Sequence, residues 1–253
     1  MLLGAQSFTI RAFTQNKADF RIAMQKVADI GYRCVQLSAI GAMEPQFLRD
    51  TCDEAGLQIV LTHTNPDRML NDTAAVIREH QALGCRYVGM GMMNDRYRCA
   101  DWIDRFAQDW RRPAEMLRDA GMRLMYHNHN FEWERLSDGR RIIDVLLQQM
   151  PAELMGITLD TYWVQAAGAD LMDWIDRLQD RIPCVHLKDM AVQGFQQRMA
   201  AVGEGNINFP KVLRRLEELG KTECMLVEQD DCYGESPFAC LKRSYDYVTG
   251  LGY

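Results

Sequence analysis

One phrase recurs along the chain and limits what it can fold into: an amphipathic, helix-like segment ends in glycine, and an apolar strand-like run follows within a few residues. It reads Val27-Ala28-Asp29-Ile30-Gly31 before Cys34-Val35-Gln36-Leu37, then Cys52-Asp53-Glu54-Ala55-Gly56 before Ile59-Val60-Leu61. It returns as Gln81-Ala82-Leu83-Gly84 before Tyr87-Val88-Gly89-Met90, and as Leu117-Arg118-Asp119-Ala120-Gly121 before Arg123-Leu124-Met125-Tyr126. A fifth copy is Leu216-Glu217-Glu218-Leu219-Gly220 before Cys224-Met225-Leu226-Val227. Glycine suits the left-handed residue that closes a helix, because it has no Cβ to clash there. Three more apolar runs, Leu2 to Phe8, Met155 to Leu159 and Ile182 to Leu187, bring the strands to eight. Helical apolar spacing fills the segments at about 18–29, 45–55, 72–83, 101–120, 140–149, 170–180, 208–219 and 237–249.

Such alternation predicts a parallel sheet with helices on its outside, and eight units in 253 residues fit a closed barrel better than an open doubly wound sheet. The expected fold is α/β, a single (β/α)8 TIM barrel over residues 1–253. An open dinucleotide-binding sheet calls for G-x-G-x-x-G after its first strand; none is there, and Gly89-x-Gly91 is too short and misplaced. The longest stretch without periodicity, about 190–207 after the seventh strand, is expected as a loop insertion on the catalytic face.

Barrel active sites lie at the C-terminal ends of the strands. In the second half of this chain those ends are rich in chemistry. The fifth strand closes with Tyr126-His127-Asn128-His129-Asn130-Phe131-Glu132, and the sixth with Leu159-Asp160-Thr161-Tyr162-Trp163. The seventh closes with His186-Leu187-Lys188-Asp189 and the eighth with Val227-Glu228-Gln229-Asp230. Four successive strands thus offer His or Glu, Asp, His and Glu at one level. A hard divalent cation takes such a mixture of carboxylate oxygen and imidazole nitrogen, and the lack of thiolates there argues against structural zinc.

These phrases, with Val202-Gly203-Glu204-Gly205-Asn206-Ile207, resemble the xylose-isomerase-like superfamily of barrels. The resemblance is to its sugar phosphate isomerase/epimerase group, which also holds ketose 3-epimerases and inosose-processing enzymes. In the ketose epimerases of that superfamily, strands five to eight give Glu, Asp, His and Glu to one divalent metal, and the two glutamates exchange the substrate proton. Carried over, the resemblance implies Asp160, His186 and Glu228 as ligands. The remaining ligand is expected to be Glu132, with His127 and His129 lining the substrate; a swap of His127 for Glu132 is the alternative. The ion expected is Mn2+, with Mg2+, Co2+ or Zn2+ as alternatives.

The activity so implied is that of a sugar, sugar phosphate or keto-polyol isomerase or epimerase. It removes a proton beside a carbonyl and stabilises an enediolate, with Glu228 as the first base and Glu132 or His127 returning a proton. The rival is a lyase on the same barrel, in which the enediolate expels a hydroxyl as water. Lys188 lies two residues beyond His186, so on a strand it shares that side chain's direction and reaches the same pocket. Further substrate contacts are expected from His63 after the third strand, His129, Trp163, and Arg198 in the loop after the seventh.

A net charge of −6 and a pI near 5.4 argue against an apurinic-site endonuclease or any partner held mainly by phosphate contacts. The eight cysteines include no Cys-x-x-Cys pair, the first residues lack a basic leader, and no apolar run approaches membrane-spanning length. A cytoplasmic location with reduced thiols is therefore expected, without nucleic acid or membrane partners. Barrels of this group pair, so a homodimer or homotetramer is expected.

Overall fold

A computed structural model describes residues 1–253. Eight parallel strands close into a barrel: β1 (Leu2–Gln6), β2 (Cys34–Leu37), β3 (Gln58–His63), β4 (Tyr87–Met90), β5 (Arg123–His127), β6 (Met155–Asp160), β7 (Cys184–Leu187) and β10 (Cys224–Val227). Each strand pairs with the next in the chain, and β10 pairs with both β7 and β1. The expected TIM barrel is the observed one.

The eight predicted helical segments are helices, among them α1 (Lys17–Ile30), α5 (Ile103–Asp119) and α9 (Phe209–Leu219). Gly84 and Gly220 take the left-handed conformation at helix C-termini, with φ of 67° and 62°. Two short helices were not foreseen, α3 (Pro66–Asn71) and α7 (Thr161–Ala166), because six residues carry too little periodicity to register. The first apolar run also divides: the strand stops at Gln6, and Ser7–Phe13 forms a 3₁₀ turn that the Gln6 side chain caps by accepting from the Phe8 N–H. No helix is long and apolar enough to cross a membrane.

Strand periodicity divides the barrel interior into an apolar floor and a polar top. Cys34, Tyr87, Met125, Cys184, Cys224 and Leu226, from five strands, touch one another in one cluster and so fill the interior. Two residues further along their strands, and therefore on the same inward face, stand Gln36, His127, His186 and Glu228. Asp160 follows Thr158 in the same way, and Gln6 follows Gly4. A Cβ on Gly4 would meet the Cys34 carbonyl oxygen and Sγ at 2.5 Å, so the narrow floor accepts only glycine there.

After β7 the chain forms an antiparallel hairpin, β8 (Asp189–Gln193) and β9 (Gln196–Ala200), followed by a turn through residue 207. Its base hangs on one buried carboxylate. Asp189 Oδ2 accepts the N–H groups of Gly203 and Gly205 at 2.9 Å, while Oδ1 accepts those of Met190 at 2.8 Å and Ile207 at 3.2 Å. The approach is so close that a Cβ on Gly205 would lie 2.3 Å from Asp189 Oδ1. Removing that acceptor strands several backbone donors in a buried place, at about 1–3 kcal/mol for each that water does not reach. Asp189→Ala is expected to cost about 3 kcal/mol and lower Tm by about 6–12 °C, measured by calorimetry. An unchanged Tm would show that the hairpin base holds without the carboxylate.

Candidate metal centre

At the polar end of the barrel, one ligand atom each from His127, Asp160, His186 and Glu228 lies within 4.8 Å of the others, and all four residues are buried. Two ligands bound to one first-row divalent ion stand at most about 4.4 Å apart, twice a bond of about 2.1–2.2 Å, so small adjustments bring this set into a coordination sphere. His186 Nδ1 is 2.9 Å from Glu228 Oε2 and 3.7 Å from Asp160 Oδ2, and His127 Nε2 is 3.3 Å from Asp160 Oδ2.

Each of the four residues ties one atom to the scaffold and turns another inward. His127 gives its Nδ1–H to the Gly91 carbonyl at 3.0 Å, and His186 its Nε2–H to Gln36 Oε1 at 2.6 Å. Those bonds turn one nitrogen of each ring to the scaffold and leave the other facing the cluster, as in metal-binding histidines generally. Asp160 Oδ1 accepts the Trp163 N–H and caps α7, leaving Oδ2 for the cluster. Glu228 Oε1 accepts from Gln6 Nε2 at 2.6 Å, leaving Oε2. His186 Nδ1 and Glu228 Oε2 face each other without the alignment of a hydrogen bond, and both lack a hydrogen-bond partner. Buried polar atoms left unpaired on converging strands are what a cation would satisfy, so the donor set fits a divalent ion.

Lys188 stands over the cluster, buried, with Nζ 2.7 Å from Asp230 Oδ2, 3.6 Å from Glu228 Oε2 and 3.8 Å from Asp160 Oδ2. Burial opposes its charge, and the Glu228, Asp160 and Asp230 carboxylates outweigh burial and raise its pKa. Burial likewise opposes the anionic form of Glu228, yet Lys188 and His186 hold its carboxyl well below the usual range. Burial pushes His129 down to about 3, aided by His127, and pushes His63 down with help from His127 and His186. Both rings are therefore neutral.

A cavity of about 360 Å³ opens above, lined by Gln6, Phe8, Ser38, His63, His127, His129, Trp163, Lys188, Glu228 and Asp230 among others. His63 Nδ1 meets Ser38 Oγ at 3.1 Å, while His63 Nε2, His129 Nδ1 and Trp163 Nε1 have no partner. The His129 and Trp163 rings lie 5.2 Å apart. The wall is thus furnished with unused hydrogen-bonding groups and aromatic faces, which suit a polyhydroxylated ring or chain.

Two residues stand elsewhere than expected. Glu132, expected among the ligands, lies outside the set. Strand β5 ends at His127, whose parity with Met125 turns it inward, whereas Glu132 sits on a 3₁₀ turn (Phe131–Trp133) that folds its carboxylate back. There Oε1 accepts from the Tyr126 hydroxyl at 2.7 Å and Oε2 from the His129 N–H at 2.8 Å. Burial pushes its carboxyl up to about 7 against those donors. Arg198, expected to touch substrate, lies on β9 with its guanidinium 3.7 Å over the Tyr233 ring, outside the cavity lining. Residues on β9 alternate sides, and Arg198 takes the side that faces the loop after β10. Gln6 and Gln36 are not among the expected site residues, and Asp230 stands in the eighth-strand phrase without an expected role. A glutamine in an otherwise apolar strand, as in Leu2-Leu3-Gly4-Ala5-Gln6 and Cys34-Val35-Gln36-Leu37, was the available signal.

The family model for the xylose isomerase-like TIM barrel matches residues 24–242. The chain belongs to that family. Among its relatives is the inosose dehydratase of Geobacillus kaustophilus, 22% identical over 90% of this chain and 86% of that protein. Among solved structures, a sugar phosphate isomerase/epimerase from Parabacteroides distasonis superposes with a TM-score of 0.83 at 22% identity, covering 98% of each chain. An L-ribulose 3-epimerase gives 0.77 at 15% identity, over 99% of this chain and 94% of that one. At such identities the structural likeness concerns the barrel.

Proposed function

We propose that this family member is a metal-dependent dehydratase that removes a proton from the carbon beside the carbonyl of a small polyhydroxylated ketone and expels the hydroxyl of the next carbon, β to the carbonyl, as water. The observation that carries this reading is that one glutamate, Glu228, reaches the centre, while Glu132 is engaged by Tyr126 and His129. Epimerisation through paired glutamates needs both at the substrate, one on each face. Dehydration on a single face needs one, because the proton taken from carbon is handed to the departing hydroxyl. The name of the Geobacillus kaustophilus relative supports the same outcome.

His127, Asp160, His186 and Glu228 would hold the metal, Mn2+ first among the candidates. A divalent cation bound there supplies a Lewis acid that offsets the negative charge gathering on the substrate's carbonyl and neighbouring hydroxyl oxygens. Glu228 is anionic and has a second oxygen, Oε1, which the Gln6 amide orients at the cavity wall; Oε1 is the atom that takes the proton. The Lys188 ammonium donates to a substrate oxygen, and the neutral rings of His63 and His129 bond its hydroxyls. Trp163 covers one face of the substrate and keeps water from the nascent carbanion.

The test is NMR in heavy water on Mn2+-loaded protein with free ketoses, keto-inositols and ketose phosphates. A conjugated carbonyl product with near-ultraviolet absorbance, formed only with metal, is the expected result. Exchange or inversion of the proton beside the carbonyl without loss of water would replace the dehydratase with an isomerase or epimerase. No metal-dependent change on any of the compounds would overturn the whole reading.

A further inference from the structure

We propose that Asp230 restricts this site to uncharged substrates by occupying Lys188, the one cation in the cavity wall. The inference rests on the polyol reading of the site and names its substrate class. Among the side chains lining the cavity, Lys188 alone carries positive charge, whereas Glu228 and Asp230 line it as carboxylates and Asp160 lies directly beneath. Its ammonium makes its short contact with Asp230, at 2.7 Å, and lies within 3.8 Å of the other two. Even a bound dication together with this ammonium only balances the three carboxylates, so no net charge is left to draw in a phosphate or carboxylate.

The remaining nearby cations are turned away from the cavity. Arg11 gives its guanidinium to the carbonyl oxygens of Phe8 and Asp230, and Arg198 stacks on Tyr233. Asp230 lines the cavity and its Oδ1 is buried without a partner, an acceptor that a substrate hydroxyl would satisfy and an anionic oxygen would not. Asp230 thus acts in two ways: it accepts from a neutral hydroxyl, and it cancels the one lysine in the cavity wall.

Removing this charge while keeping the shape frees Lys188 for a charge-assisted hydrogen bond. The probes are D-glucitol and D-gluconate, matched in length and differing by one carboxylate, titrated calorimetrically into the Mn2+-loaded protein. Asp230→Asn is expected to raise the gluconate-to-glucitol affinity ratio by about 10- to 100-fold over that of the unaltered protein. Adding Lys188→Met is expected to abolish the gain, which a merely structural role for Asp230 would not produce. Chelation of the metal by gluconate is common to all the proteins and cancels in the comparison. Should Asp230→Asn fail to fold, Asp230→Ser carries the same test. An unchanged ratio with glucitol still bound would overturn the proposal and leave the polyol reading standing. Failure of the unaltered protein to bind either compound would take both down.

Discussion

Replacing Glu228 with glutamine is expected to lower kcat by about 1,000-fold at saturating Mn2+ while the protein stays folded. General base catalysis contributes about 10²–10⁴-fold, and the amide that replaces the carboxylate has no basic oxygen of comparable strength. The variant is isosteric, and with its carbonyl oxygen accepting from Gln6 Nε2 its N–H₂ takes the place of Oε2, so the strand-end geometry survives while metal affinity falls as well. Steady-state kinetics on protein of measured metal content separates the two effects. A loss confined to KM would assign Glu228 to binding alone, and near-normal kcat at full occupancy would remove it from the chemistry.

The second large effect concerns which residue of the fifth-strand segment belongs to the metal. His127→Ala removes an inward nitrogen from a set of four, and its metal affinity is expected to fall by more than about 100-fold, beyond what outer-shell changes typically cost. Glu132→Gln is expected to retain metal. Its cost falls on stability instead, about 1–3 kcal/mol, because the amide keeps one accepting oxygen for two donors, so either the His129 N–H or the buried Tyr126 O–H loses its acceptor. Metal content after dialysis, alongside thermal melts, distinguishes the two variants. Loss of metal from Glu132→Gln with retention in His127→Ala would restore Glu132 as the ligand.

The fold was legible because its signal is repeated: five helix-glycine-strand phrases state the same unit, and a mistaken boundary in one leaves the others intact. The boundaries that failed are where the signal is short, at the 3₁₀ turn after Gln6 and the six-residue helices α3 and α7. The polar strand ends were visible for the same reason as the strands. What sequence could not supply was direction. His127 and Glu132 are both plausible ligands by type, and only the parity of β5 and the turn at Phe131–Trp133 decide which one faces inward. Gln6 and Gln36 were overlooked because an amide bears no charge and titrates nothing, although each holds a cluster residue in place. Arg198 stands outside the cavity lining because a position after a strand does not fix the side on which a residue projects.

The centre draws its four inward atoms from β5, β6, β7 and the last barrel strand, whereas β2 to β4 and their loops supply the cavity with Ser38, His63, Asn65 and Met92. The half that holds these atoms also brings His129, Trp163, Lys188 and Asp230 to the substrate, and the other half completes the description of the molecule. Ser38, Asn65 and Met92 hold none of the four cluster residues, so they can change by ordinary drift without disturbing the electrostatics of the opposite wall. A lineage built this way can acquire new substrates one loop at a time and keep its chemistry throughout. Its members would then share strand ends on one side and differ freely on the other.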